Sequence, residues 1–130
     1  MLAMRSLWLV ALGGALGAVA RATLSTAIHT RWPSSVPWGT IVVNLAGCLI
    51  LGLLAGFLES RPHLNATWRT FGAVGVLGAF TTFSTFENET LVLLHRGELA
   101  AALANVGLSV AAGLLAVWTG TIIGRTISAW

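Results

Sequence analysis

Four long apolar stretches, parted only by short polar connections, constrain this chain more than any other feature. A helix that crosses a bilayer needs about 20 mostly apolar residues, because the hydrocarbon layer is roughly 30 Å thick. The stretches run from about Ser6 to Ile28, Trp38 to Leu58, Trp68 to Leu94 and Leu99 to Ile127. HTRWPSSVP joins the first pair, with Pro33 and Pro37 as breakers; ESRPHLNAT and HRGE join the others. No connection is long enough to hold a second domain. The chain therefore reads as an all-α membrane protein, a single four-helix transmembrane domain over residues 1–130.

Composition agrees. Of 130 residues, 56% are hydrophobic and 8% charged, and the mean hydropathy is +0.86. A soluble domain could not cover so much apolar surface with so few charges. All seven cationic side chains are Arg, and four Glu leave a net charge of +3. No two Arg are adjacent, so the pI of 11.2 does not mark a nucleic-acid patch, and no nucleic-acid partner is expected. The single Cys48 lies in an apolar run and reads as a small hydrophobe. Arg5 followed by LWLVALGGALGAVA imitates a secretory signal, but three more apolar stretches follow, so a retained first helix is expected. Trp8, Trp32, Trp38, Trp68 and Trp130 fall near span ends, as an interfacial belt would. Trp118 does not, and is expected to pack inside a helix contact. Gly13/Gly17, Gly52/Gly56 and Gly120/Gly124 have the spacing that lets helix backbones approach closely in lipid.

Charge gives almost no orientation. With both termini on one side, Arg5, Arg61, Arg69 and Arg125 share that side, against Arg31 and Arg96, with Arg21 near a span end. The rule that Arg and Lys stay inside is nearly silent here, so insertion both ways up is expected. Such a protein can form an antiparallel homodimer about a two-fold axis in the membrane plane.

The third stretch is the unusual one. GAFTTFSTF, residues 78–86, puts four hydroxyls and three phenylalanines near the middle of a span. Thr81, Thr82, Ser84 and Thr85 compete with the helix for backbone bonds, and Gly72, Gly75 and Gly78 weaken it beforehand. A break between Gly78 and Thr82 is expected. The alternative is an intact helix whose hydroxyls bond to the preceding turn. Irregular backbone at that depth must be buried or line a wet cavity. Its carbonyls can hold a cation, and its N–H groups and hydroxyls an anion. Phe83 and Phe86 are three apart on one helical face, with Phe80 another three residues back, and their positive ring edges can meet an anion, although core packing would also explain them.

Asn44 lies midway along the second stretch, one turn after Thr40; Asn105 and Ser109 share a face in the fourth. Arg21 either snorkels to the interface or meets a buried anion or carboxylate. Glu87 and Glu89 follow the hydroxyl run. His29, His63 and His95 are spread over connections and span ends, and no catalytic motif is present, so an enzyme is not expected. Neutral donors with Arg nearby favour a narrow path for a small anion, which must exchange water for donors at each step.

GGALGAVAR (13–21), WGTIVVNLAGCLILG (38–52) and GAFTTFSTFENET (78–90), in this order and spacing, resemble the Fluc, or CrcB, fluoride channels over nearly the whole chain. The resemblance implies an antiparallel dual-topology homodimer in the bacterial plasma (inner) membrane, with lipid around it and two pores that pass fluoride passively out of the cytoplasm. It implies that Phe83 and Phe86 of the broken helix line the pores, with Asn44, Ser84, Thr85 and Ser109. It implies a structural sodium ion at the dimer centre on the backbone carbonyls of Gly78 and Thr81, and places Arg21 at an anion vestibule. Fluoride itself comes only from this resemblance. A small multidrug exporter would be expected to carry a Glu in its first span, where this chain has none. A non-transporting assembly protein would need the glycine pairs but not TTFSTF.

Overall fold

The computed structural model describes residues 4–129, without the side chains of Met4, Arg5 and Asn65. The described residues are helical, with no strand among them. Helix α1 is Met4–Arg31 and α2 is Trp38–Leu58. Three helices are long and apolar enough to cross a membrane: Ser6–Arg31, Trp38–Leu58 and Leu99–Ser128. The last comprises α6 (Leu99–Gly107), wider turns over Leu108–Ala112, and α7 (Gly113–Ser128). The third apolar stretch is divided. One part comprises α3 (Pro62–Trp68), wider turns over Arg69–Leu77 and the short α4 (Gly78–Phe80). The other is α5 (Phe83–His95).

The third segment starts six residues before its sequence-based boundary at Trp68. Pro62 takes the first helical position, where its missing N–H leaves no helical bond unmade, so most of ESRPHLNAT is helix rather than connection. In the wider turns that follow, the Gly78 N–H reaches five residues back to the Ala73 carbonyl. Such turns often occur at functional positions. At the far end of α5, Gly97 adopts φ +74°, the Gly97 N–H reaches the Leu94 carbonyl and the Glu98 N–H reaches that of Leu93. This glycine-closed turn lets HRGE fold α5 back against α6.

Helices that are not neighbours in sequence make the closest contacts. A Cβ at Gly52 would overlap the Val117 carbonyl, and one at Gly56 the Thr121 carbonyl. Reciprocally, Gly120 and Gly124 face the carbonyls of Leu49 and Leu53. Residue numbers rise together across this contact, so α2 and α7 run parallel. Gly13 and Gly17 likewise seat α1 on the backbone between Phe71 and Phe80. All three glycine pairs thus lie where two backbones meet.

Little of the apolar surface is covered by the protomer. Ile41, Val43 and Leu58 are fully buried, but Leu12, Leu16, Val19, Leu103, Leu114 and Leu115 are exposed. An exposed apolar surface of this extent belongs in lipid or against a partner. Trp118, expected inside a helix contact, is 65% exposed and faces outward. Its neighbours Val117 and Thr121 take the α2 face instead. The chain is an integral membrane protein.

Candidate functional site: a braced helix break

The helix stops at Thr81 and restarts at Phe83. Thr81 (φ −83°, ψ 156°) and Thr82 (φ −147°, ψ 116°) are extended, within the window the sequence suggested. An unbroken helix would send the Thr82 N–H to the Gly78 carbonyl. Here it donates instead to Asn44 Oδ1 at 2.8 Å, and Asn44 Nδ2 donates to the Thr82 carbonyl at 3.1 Å. One side-chain amide thus satisfies both backbone groups of the extended residue. Thr82 Oγ1 caps α5 by accepting from the Thr85 N–H at 3.3 Å, and it bonds Thr85 Oγ1 at 2.9 Å. Thr81 Oγ1 bonds back to the Leu77 carbonyl. The hydroxyl run is therefore divided between closing one helix and opening the next.

A cavity of about 310 Å³ opens at the break. Gly78, Thr81, Phe83, Phe86, Asn44 and Ser109 all line it, so the fold gathers most of the residues singled out from sequence. Phe83 and Phe86 have ring centroids 5.7 Å apart at 45°. Phe86 is buried, while Phe83 is 74% exposed. A second cavity of about 270 Å³ brings Arg21 and Thr85 together with Thr26 and Thr40. Thr82 lines both cavities and forms part of the wall between them. Ser84 lines neither cavity and is exposed.

Two buried polar atoms lack a hydrogen-bond partner among the described residues: Arg21 Nε and Glu89 Oε2. The other Glu89 oxygen, Oε1, accepts from Thr40 Oγ1 at 2.8 Å. Across the bundle Asn105 is fully buried and donates to Thr90 Oγ1 at 2.9 Å, and Thr90 donates to the Phe86 carbonyl at 2.8 Å. Ser109 Oγ donates to Asn105 Oδ1 at 3.5 Å, as expected for two residues on one helical face. His29, His63 and His95 are exposed.

Sequence reasoning missed Gly47 and Thr90. A Cβ at Gly47 would strike the Thr81 methyl and the Phe80 ring, so this glycine is the seat of the break. Its position three residues after Asn44, on one helical face, was the available signal. Nothing local marked Thr90, whose partner is fifteen residues away on α6.

A profile of the family described as "CrcB-like protein, Camphor Resistance (CrcB)" matches residues 8–121. The chain belongs to the CrcB family. This CrcB chain is 44% identical over 126 residues to a protein of Acidobacterium capsulatum named "Fluoride-specific ion channel FluC", covering 97% of this chain and all of the relative. A "Fluoride-specific ion channel FluC 2" of Symbiobacterium thermophilum is 48% identical over 85% of this chain and 90% of its own length. A third relative, "Fluoride-specific ion channel FluC" of Magnetococcus marinus, is 47% identical over 91% of this chain and 96% of its own. The CrcB match includes all of α2, the break and the lining residues of both cavities.

Proposed function

We propose that this protein is a fluoride-selective channel and not an enzyme, releasing fluoride passively from the cytoplasm across the bacterial plasma (inner) membrane. One observation carries the reading beyond kinship. The break held by Asn44 sets neutral donors and phenylalanine rings around a cavity, next to a buried Arg21 Nε that has no hydrogen-bond partner among the described residues. A small anion gives up tightly held water only where donors replace it in succession. Arg21 attracts the anion at the vestibule. Thr85 and Ser109 offer hydroxyls at the two cavities, and the edges of Phe83 and Phe86 bridge the apolar interval without binding too strongly for release. Asn44 forms part of the wall, with its amide committed to Thr82.

The segment 62–95 completes a fourth crossing, interrupted at the break. Two copies assemble antiparallel, giving two pores per homodimer. The outward Phe83 ring, 74% exposed in the protomer, is then covered by the partner. The near-even distribution of Arg between the two ends supports insertion in both orientations. A structural sodium ion at the dimer centre fits the chemistry of the break. Diversion of the Thr82 N–H to Asn44 takes the helical donor from the Gly78 carbonyl, and the extended Thr81 ends its helix. Carbonyl oxygens of this kind suit a hard cation, so Gly78 and Thr81 would hold it, and it would supply fixed positive charge between the protomers.

The test is efflux from liposomes loaded with fluoride, followed with a fluoride electrode, beside vesicles loaded with chloride. Fast fluoride release with little chloride release is expected. Folded dimers that release no fluoride would overturn the proposal.

A further inference from the structure

A chain of side-chain bonds links two lining residues of the larger-numbered helices through a third that the cavity does not touch. Thr90 Oγ1 donates to the Phe86 carbonyl at 2.8 Å, and Asn105 Nδ2 donates to Thr90 Oγ1 at 2.9 Å. The same Nδ2 also donates to the Phe86 carbonyl, at 3.5 Å. On its other side, Asn105 Oδ1 accepts from Ser109 Oγ at 3.5 Å. Phe86 and Ser109 line the cavity at the break, whereas Asn105 is fully buried and does not line it.

Hydrogen-bond chemistry fixes which way this amide faces. A carbonyl only accepts, so the Asn105 group that meets Phe86 is its NH2. The Thr90 hydroxyl gives its one proton to the same carbonyl and therefore accepts from Asn105. The amide oxygen is left facing Ser109. Helical hydroxyls commonly return to the carbonyl four residues back, as those of Thr81, Thr121 and Thr126 do. Ser109 lies instead in the wider turns over Leu108–Ala112, and its proton goes to the Asn105 side chain. At 3.5 Å that bond is at the long limit for a hydroxyl donor, so the proton is held weakly.

We propose that Asn105 is a positioning residue for permeation: it holds the Ser109 proton between ions and yields it to each fluoride that enters the cavity. The inference rests on the channel reading and deepens it. An anion can use Ser109 only when the hydroxyl turns its proton toward the cavity. A hydroxyl with no other acceptor would bind the ion more tightly and release it more slowly. The Asn105 oxygen competes for that proton, which weakens binding and speeds release. Asn105 thus sets how strongly Ser109 holds the ion without touching the ion itself.

Fluoride efflux from liposomes loaded over a range of fluoride concentrations gives a half-saturating concentration and a maximal rate for each variant. Asn105→Leu keeps the shape of the amide and removes the acceptor, while Thr90 still satisfies the Phe86 carbonyl. Half-saturating fluoride should fall about two- to tenfold, the equivalent of one neutral hydrogen bond, and the maximal rate should fall with it. Misfolding would lower the rate without lowering the half-saturating concentration. Thr90→Val leaves the Asn105 amide held to Phe86 only at 3.5 Å, and should shift both quantities the same way by less. In a Ser109→Ala background, Asn105→Leu should not shift half-saturation further. An unchanged or raised half-saturating concentration in folded Asn105→Leu, or in Thr90→Val where that variant does not fold, would overturn the inference. So would an equal shift in the absence of the Ser109 hydroxyl. In each of these cases wild-type efflux would leave the channel reading standing; wild-type vesicles that release no fluoride would overturn both.

Discussion

At Thr82 the backbone N–H and C=O leave the helix and both end on the Asn44 amide. Asn44→Ala would orphan two backbone groups, each worth about 1–3 kcal/mol when left buried and unpaired. Unfolding in detergent should show that loss, and a variant of unchanged stability would mean that water or a neighbour takes over both bonds. Phe83 is the opposite case. Its ring is mostly exposed in the protomer, so Phe83→Ala should change protomer stability by no more than about 0.5 kcal/mol. Fluoride efflux from the same variant should fall at least about tenfold, the rate equivalent of roughly 1.4 kcal/mol of barrier. Undiminished efflux would remove Phe83 from the pore.

Among the elements, the glycine contacts decide which helices can touch. Gly52→Leu would drive a side chain into the Val117 carbonyl across the α2–α7 contact. Overpacking of this kind costs about 1–3 kcal/mol or parts the helices, and an unfolding transition at lower denaturant should record it. Gly107 has no neighbour within 4 Å of where a Cβ would stand. Gly107→Ala should therefore stabilise α6 by about 0.5–1 kcal/mol, read in the same experiment. The two outcomes together distinguish glycine needed for approach from glycine merely present. The break is held in the same way from across the bundle, with Gly47 giving room to Thr81 and Phe80 and Asn44 closing the bonds.

For the whole molecule, the nearly even Arg distribution predicts two orientations in one membrane. A Ser128→Cys variant, made in a Cys48→Ala background, should label to about half with an impermeant maleimide applied to intact cells. Complete labelling or none would mean one orientation and exclude the antiparallel dimer. Acid should loosen the end of the bundle that carries Glu59. Because Arg125 lowers the folded-state pKa of Glu59, the pairing contributes fully above the ordinary carboxylate range and is lost as pH falls through the lower folded value. The pair is exposed, so the effect is small, and Glu59→Gln should flatten that part of the stability profile.

The apolar stretches and their punctuation determined by themselves that this chain enters a membrane as helices. Burial of backbone polar groups in hydrocarbon admits few alternatives, and the α2 boundaries followed from Pro37 and the apolar run alone. The break was legible because hydroxyls and glycines crowd one place in the span. Local residues could weaken the helix there, but could not say which peptide would give way. Asn44, thirty-eight residues earlier, decided it by supplying both bonds to Thr82. The same limit explains the early start at Pro62, the outward Trp118 and the role of Gly47. The helical period places a residue on a face, whereas only the packed partner decides what that face meets. The joining of Arg21, on α1, to Thr82 and Thr85 around one cavity, and of Asn44, on α2, to Phe83, Phe86 and Ser109 around its neighbour, is likewise a product of tertiary packing, because α1 and α2 lie far from the break in sequence.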